Sequence, residues 1–198
     1  MRTTLLPGAL ALLALLALLA LLTACGEPSE MESLSRPGER SAYASSQIQP
    51  FTSDGCSLFP DGDWVHCCVA HDLRYWMGGL EGDKQAADLR LWSCVDEVAT
   101  GYWFDVGWWM YQAVDLLASP SWGPVEPKQT EPWRWGYGWP DKESAYSELT
   151  PDQIISIGRE LVRVRDSLQG SGTYSGPPLT QEQQQAVLQA IEGYLGQI

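Results

Sequence analysis

The sequence is organised around the stretch Cys67-Cys68-Val69-Ala70-His71-Asp72-Leu73-Arg74-Tyr75. It places a titratable base, a carboxylate, a phenol and two adjacent cysteines within about two and a half turns of a helix. On such a helix Cys67, His71 and Tyr75 share a face, because they are spaced four residues apart. Asp72 points about 100° away around the axis, so it is better placed to bind a group beside His71 than to orient the imidazole. This combination of residue types indicates an active site.

Two helices are predicted around this stretch, and together they bring in a second carboxylate. The first covers about residues 64–77 and stops at a pair of glycines. The second covers about residues 84–100, with Asp83 as its N-cap. Because the connection is short, the two helices should be antiparallel neighbours. Asp88 on the second helix is therefore the best candidate for the carboxylate that orients His71.

The N-terminal residues have the composition of an export signal. The chain carries no charge from Leu5 to Leu22, and its continuous Ala/Leu part suits a signal peptide better than a membrane span. The run ends in Leu22-Thr23-Ala24-Cys25, which resembles the lipobox of bacterial lipoproteins. That resemblance implies a signal peptide at 1–24, a lipid on Cys25 and a place in the bacterial envelope. Gly26 favours the outer membrane, facing the periplasm. The alternative is an uncleaved N-terminal anchor.

Export also predicts the chemical state of the other cysteines. Four remain after Cys25, and an exported chain meets an oxidising compartment, so two disulfides are expected. The four are Cys56, Cys67, Cys68 and Cys94. Zinc binding is the rival use, but adjacent cysteines have poor spacing for a zinc site. Disulfides are therefore preferred.

The chain is strongly acidic, with a formal net charge of -13. Such a protein repels nucleic acid and gains no attraction to anionic lipid. Nucleic acid is therefore excluded as a partner. Contact with a phospholipid or membrane surface would depend on the lipid anchor, on aromatic side chains or on bound cations.

The remaining sequence predicts an all-α protein with one irregular segment. Residues 25–50 have the composition of a flexible tether, and a main domain follows at 51–145 with a third helix at about 106–118. Proline and glycine exclude regular helix from the Trp-rich segment 132–140. Most of the tryptophans are expected to pack in the core. The alternative is that some line a lipid-binding slot or a membrane-facing rim.

The C-terminal residues 146–198 are predicted to form a helical extension. Capping-box sequences begin at Thr150 and Thr180 and predict helices at 151–168 and 181–195. Neither helix contains a histidine or a cysteine. We interpret them as packing helices or as a binding surface for an envelope protein partner.

The central stretch resembles the signature of the secreted phospholipase A2 superfamily, compact bacterial members being the nearest likeness. The signature has paired cysteines, two residues, then His71-Asp72 and a nearby tyrosine on one helix. A glycine- and cysteine-containing calcium loop lies upstream, similar to Gly55-Cys56-Ser57. An aspartate lies six residues before a cysteine on the second helix, as Asp88 does before Cys94. The resemblance covers about a fifth of the chain, roughly residues 54–94.

The resemblance implies a disulfide-linked antiparallel helix pair, with bridges Cys56–Cys68 and Cys67–Cys94. It assigns His71 as the general base for a water that attacks the sn-2 ester carbonyl. Asp88 and Tyr75 would fix the imidazole. Asp72, with backbone carbonyl groups around Gly55 and Ser57, would bind Ca²⁺, which polarises the ester.

The sequence departs from the family pattern at three places, of which one is the brief connection between the two helices. Arg74 stands where the family often has another cysteine, and the loop between Cys56 and Cys67 is short and lacks the glycine-rich pattern. Asp54, Asp61 or Asp63 are therefore alternative side-chain ligands for the ion. The sequence predicts a calcium-dependent phospholipase A2-like hydrolase. The competing hypothesis is a non-enzymatic envelope lipoprotein on the same scaffold that binds lipid or a protein partner.

Overall fold

A computed structural model describes residues 47–117 and 134–198, which all belong to one compact unit. These residues form helices, turns and irregular segments, and no strand is present among them. The all-α prediction is therefore confirmed for this part of the chain. The helices are α1 (Val65–Met77), α2 (Glu81–Val98), α3 (Val106–Leu117), α4 (Lys142–Ala145), α5 (Pro151–Leu168) and α6 (Gln181–Leu195).

The helix pair α1 and α2 forms as predicted, except at the beginning of α2. Helix α1 ends at Met77, and Gly78 follows it with a positive φ of 72°, a conformation that costs glycine little. Helix α2 begins at Glu81, so the prediction of Asp83 as its N-cap was wrong. Asp83 instead lies in the first turn, where its carboxylate accepts a hydrogen bond from the Leu80 N–H at 3.0 Å. It still satisfies one of the free N–H groups at the helix N-terminus.

Two disulfides hold the helix pair and the loop before it. Cys67–Cys94 joins α1 to α2, and Cys56–Cys68 joins the loop to α1. This is the pairing that the family resemblance implies. Because the adjacent cysteines point to different partners, α1 is cross-linked on two sides next to His71.

The Trp-rich segment, described for residues 134–140, closes the C-terminal end of α1. The last carbonyl groups of a helix have no partner within it. Here the Gly136 N–H donates to the Tyr75 carbonyl at 2.6 Å, and the Trp139 indole donates to the Met77 carbonyl at 2.8 Å. Trp135 and Trp139 are themselves buried. The segment is irregular, as predicted, and its described tryptophans pack in the core; residues 118–133 lie outside the described residues.

The C-terminal helices α5 and α6 have the predicted bounds, and both capping boxes are present. Helix α6 packs against α1 as well as α5. Ile157 and Leu161 of α5 and Ile191 of α6 share one hydrophobic core with Trp76 of α1. Residues 146–198 are thus packed on the helix that carries the central sequence stretch.

Residues 1–46 lie outside the described residues, and so do the predicted signal peptide, Cys25 and most of the predicted tether. The end of the tether contacts the folded part, since the Gln49 carbonyl accepts a hydrogen bond from the Trp76 indole at 2.7 Å. Within the described ranges, no helix combines the length and apolar character needed to cross a membrane.

Candidate active site

His71, Asp88 and Tyr75 form one buried hydrogen-bonded group. The imidazole Nε2 lies 2.9 Å from Asp88 Oδ1, and the Tyr75 hydroxyl donates to the same oxygen at 2.7 Å. His71 and Tyr75 are one helical turn apart on α1, and Asp88 faces them from α2. The structure therefore brings together the three residues that the sequence analysis assigned to the base and its support.

The other imidazole nitrogen, Nδ1, makes no hydrogen bond to any of the described residues. It lies 3.8 Å from Asp72 Oδ1, which is beyond hydrogen-bond distance, and the two groups form an ion pair only when the imidazole is protonated. Burial disfavours the charged imidazolium, but Asp72 and Asp88 together outweigh burial and raise the pKa of His71. With Nε2 held by Asp88, Nδ1 is the nitrogen left to accept a proton.

Lys84 is a fourth member of this group that the sequence analysis missed. Its ammonium donates to Asp88 Oδ2 at 2.8 Å, and both side chains are buried. Burial acts to raise the pKa of Asp88, but contacts with His71 and Lys84 outweigh it and lower that pKa. The spacing of four residues between Lys84 and Asp88 on one helix was the available signal.

Asp72 lies beside this group but has far fewer partners. It is buried, and its Oδ2 accepts one hydrogen bond, from the Ser53 hydroxyl at 2.6 Å. Burial raises the pKa of Asp72 to about 6, although His71 and Ser53 act in the opposite direction. A buried carboxylate with so little compensation is a good ligand for a cation. No sequence pattern pointed to Ser53.

The loop before α1 contributes backbone oxygens. Gly55 and Ser57 both have positive φ, at 78° and 51°, and the Cys56–Cys68 bridge holds the loop against α1. Their carbonyl oxygens accept no hydrogen bond from within the described residues. Gly55 and Ser57 line the same cavity as Asp72, and carbonyl and carboxylate oxygens are the ligands that Ca²⁺ prefers. Asp72, Gly55 and Ser57 therefore fit the ion that the family resemblance implies.

Of the acidic residues predicted as alternative ligands, Asp54 and Asp61 have carboxylates that accept hydrogen bonds within the loop. Asp61 accepts a hydrogen bond from the Cys56 N–H at 2.9 Å, and its carboxylate lies so close to Gly55 that a Cβ there would clash with it at 2.4 Å. Asp54 accepts from the Ser57 hydroxyl at 3.0 Å. For Asp63, the described contact is through its backbone carbonyl, which accepts from Gln183 at 3.1 Å.

The C-terminal part of the chain supports this loop. Three hydrogen bonds reach residues 51–63 from different places: Glu160 accepts from the Phe51 N–H at 2.7 Å, the Ser175 carbonyl accepts from the Ser53 N–H at 3.0 Å, and Gln183 donates to Asp63. A fourth joins Tyr194 to the Ala70 carbonyl at 3.2 Å, next to His71. The loop and the segment of α1 next to His71 are thus held partly by residues outside the region of family resemblance.

A cavity of about 480 Å³ opens in front of these groups. Its polar side contains His71, Asp72 and the loop from Asp54 to Ser57, and its apolar side contains Leu58, Leu91 and α3. From α3 the lining residues are Met110, Ala113 and Val114. A mostly apolar pocket with a few convergent polar groups is typical of a small-molecule site.

One other group of potential metal ligands is present among the described residues, formed by His66, Cys67 and Cys94. The two cysteines are joined in a disulfide, so they have no thiolates to offer a metal. Burial lowers the pKa of His66. This group is therefore a structural cross-link next to a partly buried imidazole.

Comparison with known proteins adds no identity to this geometry: no protein-family model matches the chain, and neither a curated protein nor a solved structure matches it.

Proposed function

We propose that the protein is a calcium-dependent phospholipase A2-like hydrolase that cleaves the sn-2 acyl ester of phospholipids. One observation carries the proposal. The His71 imidazole is held by Asp88 through Nε2, while its free Nδ1 and the Asp72 carboxylate lie beside an apolar cavity. A base, a cation ligand and an acyl-sized apolar space are what ester hydrolysis of a lipid requires.

The residues divide the chemistry between them. His71 Nδ1 takes a proton from a water as the water oxygen bonds to the ester carbonyl carbon. The imidazolium then returns the proton to the departing alkoxide as the carbon–oxygen bond breaks, which leaves a fatty acid and a lysophospholipid. Asp88 and Tyr75 keep the imidazole in position during both transfers. Asp72 with the Gly55 and Ser57 carbonyl groups would bind Ca²⁺, which when bound stabilises the negative charge on the carbonyl oxygen.

An exposed aromatic surface beside the cavity supports a phospholipid surface as the partner. We call it the aromatic rim, and it comprises Tyr102, Trp103, Phe104, Trp108 and Trp109. Trp103 is 93 % exposed, and ring contacts join it to Phe104 and join Trp108 to Trp109. Exposed tryptophan is favoured where lipid headgroups meet acyl chains.

The aromatic rim continues into the cavity wall. Trp109 lies one helical turn before Ala113, which lines the cavity from α3. On the loop side, Leu58 also lines the cavity and is 77 % exposed. Because the net charge is -13, this surface suits a zwitterionic lipid surface better than an anionic one. Together with the lipid anchor predicted at Cys25, this supports a site of action in the bacterial envelope.

The second candidate is a lipid-binding or partner-binding lipoprotein without catalysis. The aromatic rim would serve such a protein equally well. A shallow apolar groove on the C-terminal helices, lined by Ile155 and Val162 of α5 and by Ile198, favours a protein partner for them.

Hydrolysis by matched histidine variants tests the proposal. Full-length protein in mixed micelles with phosphatidylcholine should release sn-2 fatty acid in millimolar calcium and none after chelation. His71→Asn should lower the rate by about a hundredfold or more, since a general base contributes 10²–10⁴-fold. His66→Asn, which changes the only other histidine, should retain the rate.

Two results would reject the enzyme. One is absence of fatty acid release by the wild type, and the other is an equal rate for His71→Asn. Calcium titration by calorimetry then separates the candidates, because hydrolysis needs the ion and lipid binding by the aromatic rim does not.

A further inference from the structure

The Asp88 carboxylate is fully buried, and each of its oxygens has a different set of partners. Oδ1 accepts from Tyr75 and pairs with His71, and Oδ2 accepts from Lys84 at 2.8 Å. A carboxylate fixed at one oxygen alone can rotate about its Cβ–Cγ bond. Lys84 supplies the second fixed point, so the orientation of Oδ1 toward the imidazole depends on it.

Charge gives Lys84 a role that the other partners cannot fill. An ionised carboxylate buried in the interior needs a cation or a full set of strong donors. Tyr75 is a neutral donor, and His71 must be neutral to act as a base. Lys84 is therefore the permanent positive charge in contact with Asp88.

Lys84 also lies between Tyr75 of α1 and Asp115 of α3. Its ammonium is 5.8 Å from the centre of the Tyr75 ring and 3.8 Å from Asp115 of α3. Helix α3 forms the apolar wall of the cavity. The side chain is 5 % exposed, an unusual state for a lysine unless it is paired.

We propose that Lys84 is a positioning residue of this site, which holds Asp88 so that Oδ1 stays directed at His71 Nε2. The catalytic part of this inference rests on the proposed hydrolase activity, and the geometric part is independent of it. Lys84 is not among the residues that line the cavity or among the proposed cation ligands, so its removal should change the turnover step and leave substrate binding intact.

The test compares Lys84→Met, Lys84→Arg and the control Gln85→Met, which changes an exposed neighbour on the same helix. In full-length protein, Lys84→Met should lower kcat about tenfold with KM within twofold of the wild type. In ¹⁵N NMR spectra, the resonance of the His71 ring N–H bonded to Asp88 should shift and exchange faster with water. Lys84→Arg should recover both properties, because a guanidinium keeps the charge and a donor for Oδ2.

An unchanged His71 resonance in folded Lys84→Met would overturn the inference, whatever its stability. The NMR comparison does not depend on catalysis, so a wild type without hydrolase activity would reject the proposed function and leave this test decisive. If Lys84→Met does not fold, Lys84→Leu replaces it, since leucine also offers Asp88 no hydrogen-bond donor. If neither neutral variant folds, Lys84 is a structural residue and the positioning role is wrong.

Discussion

Two buried carboxylates of this protein lie on either side of the same imidazole, and their surroundings differ. Asp88 accepts hydrogen bonds from a phenol and an ammonium and pairs with His71, so its pKa is lowered. Asp72 has one hydroxyl donor, and burial raises its pKa. The Asp88 side is electrostatically complete within the chain. The Asp72 side is not, and its compensation would come from a cation bound from solution.

The difference between the two carboxylates is tested most directly by replacing each one with its isosteric, uncharged amide. Asp88→Asn removes the buried carboxylate at 2.8 Å from the Lys84 ammonium and leaves only the exposed Asp115, at 3.8 Å, among its described carboxylate partners. Breaking one side of a buried ion pair costs about 3–5 kcal/mol, so the free energy of unfolding should fall by about that amount in urea denaturation. Asp96→Asn, an exposed change on the same helix α2, should stay within about 0.5 kcal/mol. If Asp88→Asn lowers the free energy of unfolding by less than about 1 kcal/mol, the Asp88 side is not electrostatically complete within the chain.

In the absence of calcium, Asp72→Asn should raise the free energy of unfolding, whereas Asp88→Asn should lower it. The pKa of Asp72 is raised from 3.8 to about 6 in the folded chain, so the folded chain binds this proton more tightly than the unfolded chain. The contribution of Asp72 to the free energy of unfolding therefore falls as the pH rises from about 4 to about 6, and this contribution stays low at higher pH. At pH 8 with a chelator, Asp72→Asn should be more stable than the wild type, by at most about 3 kcal/mol.

The pH series supplies the control for Asp72→Asn. Below about pH 3 the two proteins should have the same stability, because the wild-type carboxyl is then protonated in both states. Millimolar calcium at pH 8 should stabilise the wild type and not the variant, since only an occupied site gains free energy from the ligand. A variant less stable than the wild type at pH 8 without calcium would contradict this account of Asp72.

The smallest expected effect concerns the support that α6 gives to the loop before α1. Thr180→Ala removes the N-cap of α6, whose Gln183 donates to the Asp63 carbonyl. Thr150→Ala removes the matching cap of α5. Each should cost about 1 kcal/mol of unfolding free energy. Calorimetric calcium affinity should fall only for Thr180→Ala, by a few fold; equal affinities would mean that α6 does not support the cation loop.

Much of the fold followed from local patterns in the sequence. Capping boxes gave the starts of α5 and α6, and the paired glycines gave the end of α1. The cysteine pattern, with the family resemblance, gave both disulfides. The start of α2 was misplaced by three residues because an aspartate can satisfy free N–H groups from the first turn as well as from the N-cap.

The candidate site was predictable only where its members share a helix or a motif. His71, Asp72 and Tyr75 lie on one helix, and Asp88 followed from the short connection to the next. Ser53 carries no motif, and Lys84 looks like any surface lysine in an i, i+4 pair. Their importance comes from burial, which raises the cost of an uncompensated charge and which the linear sequence does not display.

The sequence by itself determined the helices, the cysteine framework and the grouping of His71 with its nearest carboxylates, because these depend on spacing along one or two neighbouring helices. Only the tertiary structure decided that Lys84 completes Asp88, that the Trp-rich segment closes the end of α1, and that the C-terminal helices support the loop beside Asp72. Each of these contacts depends on how the helices and loops pack together, and packing depends on three-dimensional proximity rather than on sequence spacing.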